Sequence, residues 1–103
     1  MYKFTDQDPD FWIQLKGENA GKPLRNSIPN SIGVKTDPNF LVSDFLFYTV
    51  QYLFSSGQFR PFLKGSVVPY IRNQDITVAL VNHWTSLPNK PKFFFNSNTG
   101  GNG

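Results

Sequence analysis

The feature that most limits how this chain can fold is residues 40–54, Phe-Leu-Val-Ser-Asp-Phe-Leu-Phe-Tyr-Thr-Val-Gln-Tyr-Leu-Phe, preceded by Asp37-Pro38 and followed by Gly57. Asp37 offers a side-chain acceptor at a helix N-cap, and Pro38 sits in the first turn, where a missing N–H does no harm. The pattern predicts a helix to Ser55 or Ser56, closed by Gly57. Leu41, Phe45, Tyr48 and Tyr52 share one face, while Leu46, Val50, Leu53 and Phe54 share another. A helix apolar around most of its circumference lies at the centre of a domain or is covered by a partner; in a chain this short the central position is expected. A membrane span needs about 20 apolar residues. This stretch is shorter and is interrupted by Ser43, Asp44, Thr49 and Gln51.

The remaining elements are placed around that helix. Residues 1–10 read as an exposed acidic lead-in arm. In residues 11–16, Phe-Trp-Ile-Gln-Leu-Lys, the alternation of Phe11, Ile13 and Leu15 predicts a strand ended by Gly17. Residues 18–31 lack apolar periodicity and hold Gly, two Pro and three Asn, so they read as a long loop. Residues 32–35 form a short strand. Residues 58–64 form a helical turn broken by Gly65-Ser66. Residues 67–71 are extended, with Pro69 marking an edge or a bend. Asn73 caps a second, shorter helix from Gln74 to about Trp84; the β-branched run at 76–81 keeps a strand open as the alternative. Phe93-Phe94-Phe95 reads as a last strand, and residues 96–103 as a flexible Asn/Gly-rich tail. The expected fold is a single α+β domain over residues 1–95, with a small mixed or antiparallel sheet packed on one long central helix.

Composition narrows the chemistry. The 103 residues contain no Cys, one His and 17% aromatic residues, among them 11 Phe. Without Cys there is no disulfide scaffold, thiolate metal site or cysteine nucleophile. The net charge of +3 is uneven. Lys3 stands against Asp6, Asp8 and Asp10 in the first ten residues, a formal −2. Nine Lys and Arg stand against Glu18, Asp37, Asp44 and Asp75 in the rest, a formal +5. Such a body is drawn towards polyanions. The start, Met-Tyr-Lys and then acidic, lacks the regions of a signal peptide, and the expected location is the cytoplasm.

Several stretches invite a chemical reading. Residues 17–23, Gly-Glu-Asn-Ala-Gly-Lys-Pro, approach a phosphate-binding P-loop but are one residue short, with Pro23 where a hydroxyl would bind magnesium. A Gly-Lys loop can still grip a phosphate through backbone N–H groups; the alternative is a turn at Gly21 with Lys22 solvated. Asp6, Asp8 and Asp10 alternate as a calcium loop does, but Phe11 and Gly17 replace its Gly and Glu. Pro9-Asp10 followed by Gln14-Leu15-Lys16 approaches a metal-dependent nuclease core with Gln14 in place of the second acid. His83 has no nucleophile or orienting acid tied to it by sequence. No catalytic residue, metal or cofactor is assigned, and the chain is not expected to be an enzyme. Tyr2, Phe4, Trp12, Tyr70 and Trp84 could stack on bases near cations. Residues 59–66, Phe-Arg-Pro-Phe-Leu-Lys-Gly-Ser, set two cations and a Gly-Ser turn among aromatics.

Residues 17–24 with Asn19-Ala20-Gly21-Lys22-Pro23-Leu24, then 59–63 and 65–71, Gly-Ser-Val-Val-Pro-Tyr-Ile, resemble a family of small uncharacterised proteins of bacterial mobile elements and phages. The likeness spans about residues 11–80. The order of elements is also similar to a target-recognition domain of type I restriction specificity subunits. Gly65, Ser66, Pro69, Ile71 and Asp75 match a turn of that domain, and Leu87-Pro88 the segment after it. Those domains are longer and paired through long helices, which this chain lacks. The resemblance implies a DNA reader's shape and a setting in bacterial defence.

Residues and resemblance together predict a non-catalytic binding protein of a phage or mobile element in a bacterial host cell. Its expected target is nucleic acid, DNA or RNA, or a nucleic-acid-bound bacterial defence complex. Lys16, Lys22, Arg25, Arg60, Lys64 and Arg72 are the candidate phosphate contacts, with Tyr70 and Trp84 as stackers. The alternatives are an inhibitor docking on a host defence effector, as anti-CRISPR or anti-restriction proteins do, through exposed Phe and Trp, and a small structural virion protein.

Overall fold

The alternation at Phe11 and Ile13 becomes the buried stripe of a strand at the middle of an antiparallel sheet. The computed structural model describes residues 2–39, 41–65 and 67–86. They form β1 (Tyr2–Phe4), β2 (Phe11–Gln14), β3 (Pro23–Leu24), β4 (Ser31–Thr36), α1 (Ser43–Ser55) and α2 (Asn73–Thr85), with a 3-10 turn at Arg60–Phe62. The sheet order is β1-β4-β2-β3, and every pairing is antiparallel. The fold is α+β.

Register assigns the two faces of the sheet. Phe4 and Phe11 both lie opposite Val34, and Ile13 lies between Ile32 and Pro23. Cross-strand partners share a face, so these residues look the same way, and both helices cover them. Phe11 meets Phe47 of α1 edge-on, with centroids 5.3 Å apart. Tyr2 shares a 2.9 Å hydrogen bond with Thr77 of α2; burial raises its phenol pKa, and that hydrogen bond lowers it in part. Leu46, Val50, Leu53, Phe59, Ile71, Ile76, Leu80 and Trp84 complete the core.

Four expectations change. The acidic arm is built into the sheet: β1 pairs with β4, Gly33 N–H donates to Asp6 Oδ1 at 3.2 Å, and Asp10 Oδ2 accepts from Thr36 N–H and Oγ1 at 2.8 and 2.7 Å. The loop at 18–31 contains β3, which the period could not show because Pro23–Leu24 is only two residues long. Helix α1 begins at Ser43 rather than at Asp37, because Asp37 Oδ1 accepts from Asn39 N–H at 3.0 Å and makes a local turn. Finally, among the described residues no single long helix dominates: α1 and α2 have 13 residues each.

The α1 ending at Gly57 stands, with Gln58 N–H reaching back to the Leu53 carbonyl at 3.0 Å. Residues 76–81 are helical, so periodicity prevails over their β-branched preference. The expected strand at Phe93-Phe94-Phe95 and the tail at 96–103 lie outside the described residues.

Candidate nucleic-acid interface

Beyond β2 the chain continues into a second, smaller piece of antiparallel pairing. Lys16 and Lys64 each bridge Tyr70, one from either side. Lys64 and Tyr70 exchange two backbone bonds of 2.9 Å, while Gly17 N–H donates to the Pro69 carbonyl at 2.8 Å and Ile71 N–H to the Leu15 carbonyl at 2.9 Å. Directly opposite residues have Cβ atoms about 5 Å apart on one face, so both lysines start on the face of Tyr70, and the Lys64 ammonium turns to the Phe62 carbonyl and Asp75 Oδ2, at 3.3 Å each. Ile71 points inward and is buried, and the alternation puts Tyr70 and Arg72 outward. Tyr70 is 36% exposed.

Gly65 makes this arrangement feasible. It has φ +93°, and a Cβ there would lie 2.4 Å from the Val68 carbonyl oxygen and 3.3 Å from the Tyr70 ring. Any other residue would strain the turn and crowd the ring.

Asp75 sets the cations. Its Oδ2 accepts from Lys64 Nζ at 3.3 Å, Arg72 Nε at 3.3 Å and Arg72 backbone N–H at 3.1 Å. The last bond also caps the start of α2. Burial pushes the Asp75 carboxyl up, but the Arg72 side-chain and backbone bonds, the Lys64 bond and the Arg72 charge outweigh it and hold the pKa below the usual range. Lys64 and Arg72 thus share this carboxylate.

The other expected contacts are placed differently. Trp84 is 1% exposed in the core and is no stacker; a bulky ring on the inner face of α2 fills space between the layers. Arg25 is held on α1, with its guanidinium carbon 3.7 Å over the Phe47 ring and Nη1 3.5 Å from Asp44. Arg60 lines a cavity of about 110 Å³ together with Glu18, Ala20, Phe54, Phe59 and Leu63. Lys22 is half-buried on the turn between β2 and β3. In that turn Gly21 N–H donates to Gln14, Lys22 N–H to Asn19 and Ala20 N–H to Gly17, each to a backbone carbonyl. Those amides are occupied within the hairpin, so the Gly-Lys stretch is a turn rather than a phosphate cradle. Gly21 is packed so closely that a Cβ would sit 2.6 Å from the Phe59 ring.

The acidic residues near the N-terminus serve the sheet, with Asp8 also 3.8 Å from Lys35. Among the described residues no group of three His, Cys, Asp or Glu is placed to hold a metal ion. His83 lies against Tyr52, with ring centroids 5.5 Å apart, and burial lowers its pKa.

A profile for a family of unknown function, DUF6943, matches residues 2–97. The chain belongs to this family. The match takes in β1, the Tyr70 ladder and both helices, so the family's extent includes the whole described fold. Comparison with the curated proteins and with the solved structures found no match in either.

Two features escaped the sequence reading. Asp75 carried no visible sign of its role, because its partners Lys64 and Arg72 approach from a separate loop and from the helix cap. Leu41, Phe45, Tyr48 and Tyr52 were expected on one face of a central helix; Leu41 is buried, yet Phe45, Tyr48 and Tyr52 form an exposed stripe on α1, with Tyr48 62% exposed. A two-layer fold covers one side of such a helix and leaves the other open.

Proposed function

We propose that this chain is a non-catalytic binding protein that engages nucleic acid, alone or in a nucleoprotein complex, through Lys16, Lys64, Tyr70 and Arg72. The observation that carries this reading is an exposed Tyr70 paired through its backbone with a lysine on either side. Cations beside an aromatic face supply phosphate attraction and base stacking together. The likeness to small mobile-element proteins supports a phage or mobile-element setting and action in the cytoplasm of a bacterial host. Titration with DNA and RNA at low salt tests the reading. Binding should weaken steeply with added salt, and an absence of binding at low salt overturns it.

A second reading, an inhibitor that docks on a host defence effector, is favoured by the α1 stripe. Aromatic side chains on an open helix face are the usual anchors of a protein interface. Pull-down from host lysate with and without nuclease treatment separates the two. A protein partner that survives nuclease and is lost in Tyr48→Ser favours the second.

A further inference from the structure

We infer that the Tyr70 site takes single-stranded nucleic acid and discriminates against duplex; this rests on the nucleic-acid reading above and narrows its substrate. Duplex reading places a helix or a two-stranded ribbon in the major groove, with cations along it to meet the phosphates on either side. Neither helix of this fold can do so. Helix α1 (SDFLFYTVQYLFS) and helix α2 (NQDITVALVNHWT) contain no Lys or Arg. The exposed apolar side chains of α1 are Phe45, Tyr48 and Tyr52, with Val42 at its N-cap, and those of α2 include Val78 and Val81. An apolar flank without cations is poorly matched to a groove walled by phosphates.

The β2–β3 ribbon is no better suited. Its turn is tied down, with Gly21 against Phe59, and Arg25 just past β3 lies on Phe47. A ribbon fastened at its tip and its end does not project into a groove.

The cations around Tyr70 are arranged for a different ligand. Lys16 and Lys64 pair with the Tyr70 backbone from opposite sides, and Arg72 follows two residues along on the same outward side. A base stacked on that ring has one phosphate 5′ and one 3′ to it, and a lysine is paired with Tyr70 on each side to meet them, the Lys64 ammonium being shared with Asp75 Oδ2 and the Phe62 carbonyl at 3.3 Å each. The base must present its π-face to the ring, which duplex stacking hides and a single strand leaves open. Backbone phosphates and a base face are common to DNA and RNA, so the site accepts either sugar.

The test is fluorescence anisotropy with the full chain and four probes of one sequence and length: a DNA strand, an RNA strand, the DNA duplex, and a DNA strand with abasic sites at its centre. At low salt both single strands are expected to bind at least about 10-fold tighter than the duplex, and tighter than the abasic strand. Tyr70→Ala should weaken single-strand binding by about 5- to 100-fold while Tyr70→Phe retains it, since the ring and not the hydroxyl does the stacking. The comparison of probes on the unaltered chain does not depend on how Tyr70→Ala folds. Duplex binding equal to or tighter than single-strand binding overturns the inference and leaves the nucleic-acid reading standing. Binding to none of the four probes overturns both.

Discussion

Lys64 and Tyr70 exchange both of their backbone hydrogen bonds at 2.9 Å, although five residues separate them and neither belongs to the main sheet. That reciprocal pair closes the turn around Gly65 and points the lysine and the ring in the same direction. The fold thereby joins a cation to an aromatic platform through main-chain geometry, which side-chain substitution leaves in place.

Because the geometry is carried by the backbone, Lys16→Ala and Lys64→Ala should fold normally and lose affinity for single strands. Each is expected to lower the slope of log K against log salt by about 0.7. Arg25→Ala should leave the slope unchanged, because its guanidinium stacks on Phe47 of α1 and takes no part in the Tyr70 pairing. Anisotropy titrations over a range of salt concentrations check all three.

Asp75 gives the domain an acid-side limit. Its folded pKa lies below the ordinary value of 3.8, so the unfolded chain binds this proton first as pH falls. The stabilisation is whole above that value and is lost as pH drops through the lower, folded pKa. Asp10, which burial raises but the Thr36 bonds and Lys35 lower further, acts in the same window. Thermal melts should show Tm falling below about pH 4, and Asp75→Asn should flatten that slope. At neutral pH this variant should cost about 1–3 kcal/mol, towards the low end because Lys64 and Arg72 are partly exposed.

Gly21→Ala should be among the more damaging small substitutions. It forces a side chain into φ +99° and places a methyl group 2.6 Å from the Phe59 ring. The combined strain and overpacking should cost at least about 2 kcal/mol in denaturant titration. A loss below about 0.5 kcal/mol would show that the hairpin turn moves freely away from Phe59.

The two kinds of aromatic residue should separate under mutation. Trp84→Ala empties a fully enclosed site and should cost about 3–5 kcal/mol. Tyr48→Ser should cost no more than about 1 kcal/mol, since Tyr48 is exposed and only meets Phe47 edge-on. Chemical denaturation of both variants checks the contrast.

Local pattern was enough for several elements. Phe11 and Ile13 alternate because one face of β2 is buried, and Ile76, Leu80 and Trp84 recur at helical spacing because one side of α2 is. Both periods are written directly into neighbouring residues. β1 and β3 were not legible, because strands of three and two residues hold no period and exist only through their partners. The α1 stripe was misread for a related reason. Its circumference is apolar on most sides, and only the position of the sheet decides which side is covered.

The candidate site divides in the same way. Residues 59–66 announced two cations among aromatics beside a Gly-Ser turn, and Tyr70 was a plausible stacker. The sequence by itself determined the α+β class, the α1 terminus at Gly57, the basic excess of the body and the absence of thiol chemistry. Tertiary structure alone decided that Lys16 would reach Tyr70 from a chain segment 54 positions away, that Asp75 would gather Lys64 and Arg72, and that Trp84 would be buried while Tyr48 stayed open. Side-chain chemistry and short-range period are properties of neighbours along the chain, whereas burial and cross-strand register depend on which distant segments the folded backbone brings together.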